Sequence, residues 1–235
     1  MQFHPISIAE KHALFLKLSS TIKEFGANSS NDHQDDDIEE ITAFTVKTKD
    51  GEIKYIHDRP ALLLSSTSWT EDEDFGMLIH ALDLYEKEAN SDAIHYPNLI
   101  CVITGKGPLK EHYGRILELK SWSRIKVITP WLENTDYPKI LAAGDLGVCL
   151  HYSSSGLDLP MKVVDMFGCG LPVCAVDFNW YVKFAHSVFS CNNIVNLNNF
   201  KFLLFICIFP IAAFMNFCNM AKMDMFSKPI KNCVS

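Results

Sequence analysis

Clustered metal ligands are missing from this sequence: among eight cysteines and nine histidines there is no Cys-x-x-Cys pair, no His-Glu-x-x-His and no His-x-His. Zinc sites of the common spacings are thereby excluded. The cysteines are expected as buried reduced thiols, Cys169 and Cys174 lying where an apolar run reads as a helix end entering a strand. Positive charge is also scarce. With 21 Lys and Arg against 28 Asp and Glu the net charge is −7, which repels a phosphate backbone, and no basic face interleaved with aromatics offsets it; nucleic acid is not an expected partner. Residues 1 to 10 lack the basic start and apolar run of a secretory signal, so the chain is expected to begin in the cytosol.

What is present suits a globular protein. The chain has 235 residues, 48% hydrophobic and 21% charged, enough for one α/β domain with appendages. Ser7 and Glu10 form a possible capping box, after which Phe15, Leu18 and Ile22 recur at helical spacing; a short amphipathic helix outside the main domain is expected. Residues 26 to 40, mostly Asn, Ser, Asp and Glu, are too polar to hold one conformation. Residues 43 to 46 and 52 to 56 alternate around Lys49-Asp50-Gly51, which is a hairpin signal.

From Pro60 onward, short apolar runs alternate with amphipathic stretches, as parallel strands and their covering helices do. Strands are expected over 61–65, 99–104, 125–129, 146–150 and 172–176. Four helices lie between them: one from Thr70 with Glu73 completing a capping box, one around Leu109, Tyr113, Ile116 and Leu117, one over 137–143 and one over 161–167. The expected fold class is a doubly wound, Rossmann-like α/β sheet, with ligands at the carboxyl ends of its strands. The expected division is 1–58 for the helix, acidic loop and hairpin, 59–178 for the α/β domain, and 179–235 for an Asn-rich and apolar tail.

The carboxyl ends carry the unusual residues. Ser65-Ser66-Thr67-Ser68-Trp69-Thr70 offers hydroxyls to a phosphate, or is a capped turn. The acids at 71 to 74 suit a solvated first turn of helix. Thr104-Gly105-Lys106-Gly107-Pro108 lets backbone approach a ligand and adds a cation, or is a plain strand-to-helix turn. After the fourth strand, residues 151 to 165 combine His151, the oxyanion-cradling Ser154, Ser155 and Gly156, and Lys162 near a helix start, where a cation suggests an anionic ligand. Asp165, three residues on, could share a phosphate and ribose with Lys162, or simply pair with it.

Pro160-Met161-Lys162-Val163-Val164-Asp165 followed by Gly170-Leu171-Pro172-Val173 resembles the P-x-K-x-x-E…G-x-P-V signature of nucleotide-sugar domains in GT-B glycosyltransferases, with Asp165 where Glu is usual. The wider runs 66–75, 102–109, 129–132 and 153–160 resemble the chitobiosyldiphosphodolichol beta-mannosyltransferase family, over about 59–176. The resemblance implies the carboxyl-terminal, nucleotide-sugar-binding half of a GT-B fold, incomplete at its carboxyl end. It implies transfer of mannose, with inversion, from GDP-mannose to a dolichol-linked chitobiose acceptor, on the cytosolic face of the endoplasmic reticulum membrane. No cofactor is implied beyond the donor substrate. Donor-binding candidates are Ser68, Lys106, Trp131, His151, Ser154, Ser155, Gly156, Lys162 and Asp165: the lysines for the diphosphate, Asp165 for the ribose, residues 129–131 for the guanine, and His151 for sugar or phosphate. Other dolichol-pathway mannosyltransferases are implied as partners. The general base and membrane anchor of such enzymes belong to an amino-terminal domain that this sequence is not expected to contain. Residues 202 to 221 hold no charge and are long enough to span a bilayer, although Pro210, Asn216 and Asn219 oppose it. Two readings follow: a transferase acting through this donor half, or a non-catalytic truncated paralogue that binds a nucleotide sugar or partner transferases.

Overall fold

The computed structural model describes residues 2–27, 37–91, 96–152 and 160–176. Five parallel strands form the main sheet: β4 (Ala61–Ser66), β5 (Leu99–Thr104), β6 (Ile125–Ile128), β7 (Leu146–Cys149) and β8 (Val173–Ala175). Their order is β6-β5-β4-β7-β8. The chain therefore builds outward from β4 in one direction, then returns to its other side, and the switch point lies between β4 and β7.

Strand periodicity distributes the core. Leu62 and Leu64 of β4, with Ile100 and Val102 of β5, face one apolar cluster; Ala61, Leu63, Leu99, Cys101 and Ile103 face the other. Both faces are covered, which is why these strands are apolar without interruption. Helix α2 (Phe75–Ala89) seals the second face with Phe75, Leu78, Leu82 and Tyr85, while α4 (Tyr137–Ala143) and α5 (Met161–Gly168) seal the first. The remaining crossover helix, α3 (Lys110–Glu118), holds no fully buried residue. The five expected strands are present within a residue or two of the expected limits. So are the last three of the four expected helices; the first begins later.

Helix α1 (Ile8–Ser19) starts with the anticipated capping box: the Ser7 hydroxyl accepts from the Glu10 N–H, and Glu10 accepts from the Ser7 N–H at 2.8 Å. It does not stand apart from the sheet. Leu14, Phe15 and Leu18 enter the same cluster as Val102 and Ile140, and the Lys17 ammonium lies 2.8 Å from both Asp136 and Glu133, ahead of α4. The hairpin is present as β2 (Thr45–Thr48) and β3 (Ile53–Tyr55). A strand not anticipated, β1 (Ile38–Ile41), pairs with β2 at the end of the acidic segment. The proposed bilayer-length run at 202–221 lies outside the described residues, and among those described no helix is long and apolar enough to cross a membrane.

Candidate functional site

A buried carboxylate at the switch point joins the loop after β4 to the start of α5. Glu73 is 2% exposed. One of its oxygens accepts from the Thr67 hydroxyl and from the Ser68 N–H (2.9 Å), while the other pairs with the Lys162 ammonium at the start of α5. A carboxylate at this depth requires compensation, and these three donors supply it. Two expectations are thereby corrected. Glu73 is not part of a solvated turn, and α2 begins at Phe75 with Asp74 as its N-cap, because the Glu73 side chain is committed to residues on the far side of the crevice. Lys162 pairs with Glu73 and not with Asp165, its neighbour three residues on.

The loop after β4 is also pinned against the loop after β5. The Thr67 N–H donates to the Thr104 carbonyl (2.9 Å) and the Leu109 N–H to the Trp69 carbonyl (3.0 Å). A β-carbon at Gly105 would stand 1.8 Å from the Thr67 carbonyl oxygen, and one at Gly107 1.6 Å from that of Ser68. The backbone that needs these glycines is the neighbouring loop, not a ligand. Lys106, between them, remains exposed and places its ammonium 3.9 Å from the centre of the Trp131 ring, which is 65% exposed.

A cleft of about 460 Å³ opens beside this pair, lined among others by Ser66, Thr67, Trp131, Asn134 and Tyr137. Burial pushes the Tyr137 phenol above its ordinary value, and the negative charge of Asp165 adds to the shift. Burial raises the Asp165 carboxyl as well.

At the other side of the switch point, His151 forms an antiparallel bridge with Glu73, and its Nδ1 lies 2.7 Å from Asp72 Oδ2. Hydrogen bonding from Thr70, and then the contact with His151, holds the Asp72 carboxyl below the usual carboxylate range. Such a carboxylate fixes the ring's orientation. Ser154, Ser155 and Gly156 lie outside the described residues.

Of the anticipated residues, Lys106 and Trp131 are brought together, and Ser68 and Lys162 are linked through Glu73. Ser68 contributes its backbone N–H there, and its side chain stays exposed. His151 is tied to the same acidic loop, and Asp165 stands on α5, which packs against α4. The residues that sequence reasoning missed are Glu73, Tyr137 and Asn134. For Glu73 the available signal was an acid five residues beyond a run of hydroxyls, with a lysine elsewhere that lacked a partner. Tyr137 and Asn134 carried none. The cleft presents hydroxyls and an aromatic face with the Lys106 ammonium over it, and the Lys162 ammonium is tied to the adjoining Thr67–Ser68 turn, an arrangement suited to a phosphate beside a planar group. Among the described residues no group of three or more His, Cys, Asp or Glu could hold a metal ion. The four cysteines among them are buried, the Cys101 thiol pushed up to about 12 by burial.

No protein-family model matches the chain. It is 55% identical over 170 residues to the chitobiosyldiphosphodolichol beta-mannosyltransferase of Mus musculus, covering 72% of this chain and 34% of that protein. The Homo sapiens protein of the same name is 55% identical over 169 residues, covering 72% and 36%. A shorter Homo sapiens protein named as a glycosyltransferase, ALG1L2, is 48% identical over 169 residues, covering 72% of this chain and 71% of its own length. The chain belongs to the chitobiosyldiphosphodolichol beta-mannosyltransferase family. It spans about a third of the length of the mouse and human mannosyltransferases that it matches. The parallel sheet is the α/β, GT-B-like fold class anticipated from the sequence, and in this member of the mannosyltransferase family the crevice lies at the carboxyl ends of its strands.

Proposed function

We propose that the chain supplies the donor site of a beta-1,4-mannosyltransferase, which moves the first mannose from GDP-mannose to chitobiosyl diphosphodolichol during lipid-linked oligosaccharide synthesis for protein N-glycosylation. The observation that supports this reading is the cleft at the carboxyl ends of β4 and β5, lined by Ser66, Thr67 and Trp131, with Lys106 over the Trp131 ring and Lys162 tied through Glu73 to the Thr67–Ser68 turn, in a member of the family. Inversion requires the acceptor hydroxyl to attack the anomeric carbon while the bond to GDP breaks; the acceptor proton passes to a base, and negative charge accumulates on the departing diphosphate. The two ammonium groups oppose that charge and cost no rearrangement at the moment of reaction. Trp131 offers its face to the guanine, Asp165 accepts from the ribose hydroxyls, and Ser154, Ser155 and Gly156 complete the phosphate cradle. His151, oriented by Asp72, contacts the sugar or the phosphate. By its acceptor the reaction belongs at the cytosolic face of the endoplasmic reticulum membrane, where other dolichol-pathway mannosyltransferases are partners.

A second reading is a non-catalytic relative that binds the nucleotide sugar or partner transferases. It is favoured by the match to ALG1L2, of which this chain covers 71%, against 34% of the mouse mannosyltransferase. Mannose incorporation into chitobiosyl diphosphodolichol, measured in membranes depleted of their own activity and supplied with the full chain, separates the two. Incorporation supports the transferase. GDP-mannose binding without incorporation supports the second reading, and the loss of both contradicts each.

A further inference from the structure

We propose that Glu73 is a positioning residue for Lys162: it fixes the ammonium beside the loop after β4, whose Ser66 and Thr67 line the cleft, and locks that loop to α5. The inference rests on the reading that this crevice takes a nucleoside diphosphate. Lys162 occupies the first turn of α5, where the helix dipole disfavours a cation, so without a fixed partner its long side chain would turn away. Glu73 supplies that partner from the opposite side of the switch point, 89 residues away in sequence. The geometry is directional. The Glu73 side chain is 2% exposed and that of Lys162 20%, so the pair hides its anion and presents its cation. Among the described residues Glu73 engages one of the three ammonium N–H donors. The carboxylate cannot swing away with the lysine, because its other oxygen is held by the Thr67 hydroxyl and the Ser68 N–H. The Thr67 hydroxyl, offered by the sequence to a phosphate, instead holds Glu73.

The same segment carries the backbone bridge between Glu73 and His151, and the Tyr152 N–H donates to the Asp72 carbonyl at 3.0 Å. One short acidic segment thus fixes both the cation on α5 and the first residues after β7. Loss of the Glu73 charge should therefore weaken recognition of the phosphates and leave recognition of the nucleoside intact.

The test is calorimetric titration of the full chain, wild type, Glu73→Gln, Lys162→Ala and the double variant, with GDP and with guanosine, each variant first verified as folded by circular dichroism. The expected result is at least a tenfold weaker GDP affinity in Glu73→Gln, guanosine affinity within twofold of wild type, and no further GDP loss when Glu73→Gln is added to Lys162→Ala. Unchanged or tighter GDP binding in Glu73→Gln would overturn the proposal. An equal loss for GDP and guanosine, or one that persists beside Lys162→Ala, would overturn it too by assigning Glu73 a purely structural role. A wild-type chain that does not bind GDP removes the underlying donor-site reading and the proposal with it, an outcome distinct from GDP binding that ignores Glu73. Should Glu73→Gln fail to fold, Glu73→Asp, which keeps the charge but is too short to reach Thr67, Ser68 and Lys162 together, carries the test: a phosphate-selective loss is expected, and an unchanged GDP-to-guanosine ratio overturns the proposal.

Discussion

Asp165 holds its carboxyl in a partly buried position that no hydrogen bond or ion pair reaches among the described residues. Burial alone raises its pKa above the unfolded value. Below the unfolded value both states are protonated and nothing is lost; as pH rises past it the folded state carries a growing penalty, complete above the folded pKa. Asp165→Asn is therefore expected to raise the melting temperature at pH 7 and to leave it unchanged near pH 3, as thermal unfolding at the two pH values would reveal. A destabilising charge retained at a crevice is the pattern of a ligand-binding group. Accordingly, Asp165→Ala and Lys162→Ala should each weaken GDP-mannose binding by about 1.5–3 kcal/mol, the range for hydrogen bonds to charged groups. Unchanged affinity in both folded variants would remove them from the site. Trp131 belongs to the same scale: an exposed cation–π contact contributes only about 0.5–1 kcal/mol, so Trp131→Ala should barely alter unfolding while reducing nucleotide affinity.

At the scale of elements, the strands of the main sheet were legible because each is an apolar run bounded by polar residues, and period two then assigns alternate residues to the two faces. Helices α3, α4 and α5 followed from their spacing. What escaped was set by partners distant in sequence. The start of α2 moved because Glu73 bonds Lys162 and the Thr67–Ser68 turn, and β1 was hidden because Ile38 and Ile41 stand among acids and become a strand only by pairing with β2. The glycines of the loop after β5 were visible, but their use was not: the surface they approach is Thr67 and Ser68. Gly105 has φ +135°, and its substituent would meet backbone, so Gly105→Ala should cost about 2 kcal/mol or more in urea unfolding. Gly114 gives the contrast. It lies within α3, where an added β-carbon would meet nothing within 4 Å, and Gly114→Ala should add about 0.5–1 kcal/mol.

For the molecule as a whole, the amphipathic pattern of α1 was plain in the sequence and its location was not. An apolar stripe says that a face is covered without saying by what. Here Phe15 stacks with Phe25 and Phe44 and shares a cluster with the sheet and α4, and Lys17 reaches Asp136 across 119 positions. The helix, the hairpin and the sheet are thus joined through one core. Phe15→Ala should cost about 3–5 kcal/mol, and a single unfolding transition is expected by both fluorescence and circular dichroism; two separate transitions would show that α1 and the hairpin unfold apart from the sheet.

The central claim is that the crevice at the switch point is a donor site for GDP-mannose. Its most direct test is calorimetric titration of the folded chain with GDP-mannose and, separately, with UDP-N-acetylglucosamine. Saturable binding of GDP-mannose, with UDP-N-acetylglucosamine at least tenfold weaker, is the predicted result; no binding of GDP-mannose, or equal binding of the two, would contradict it.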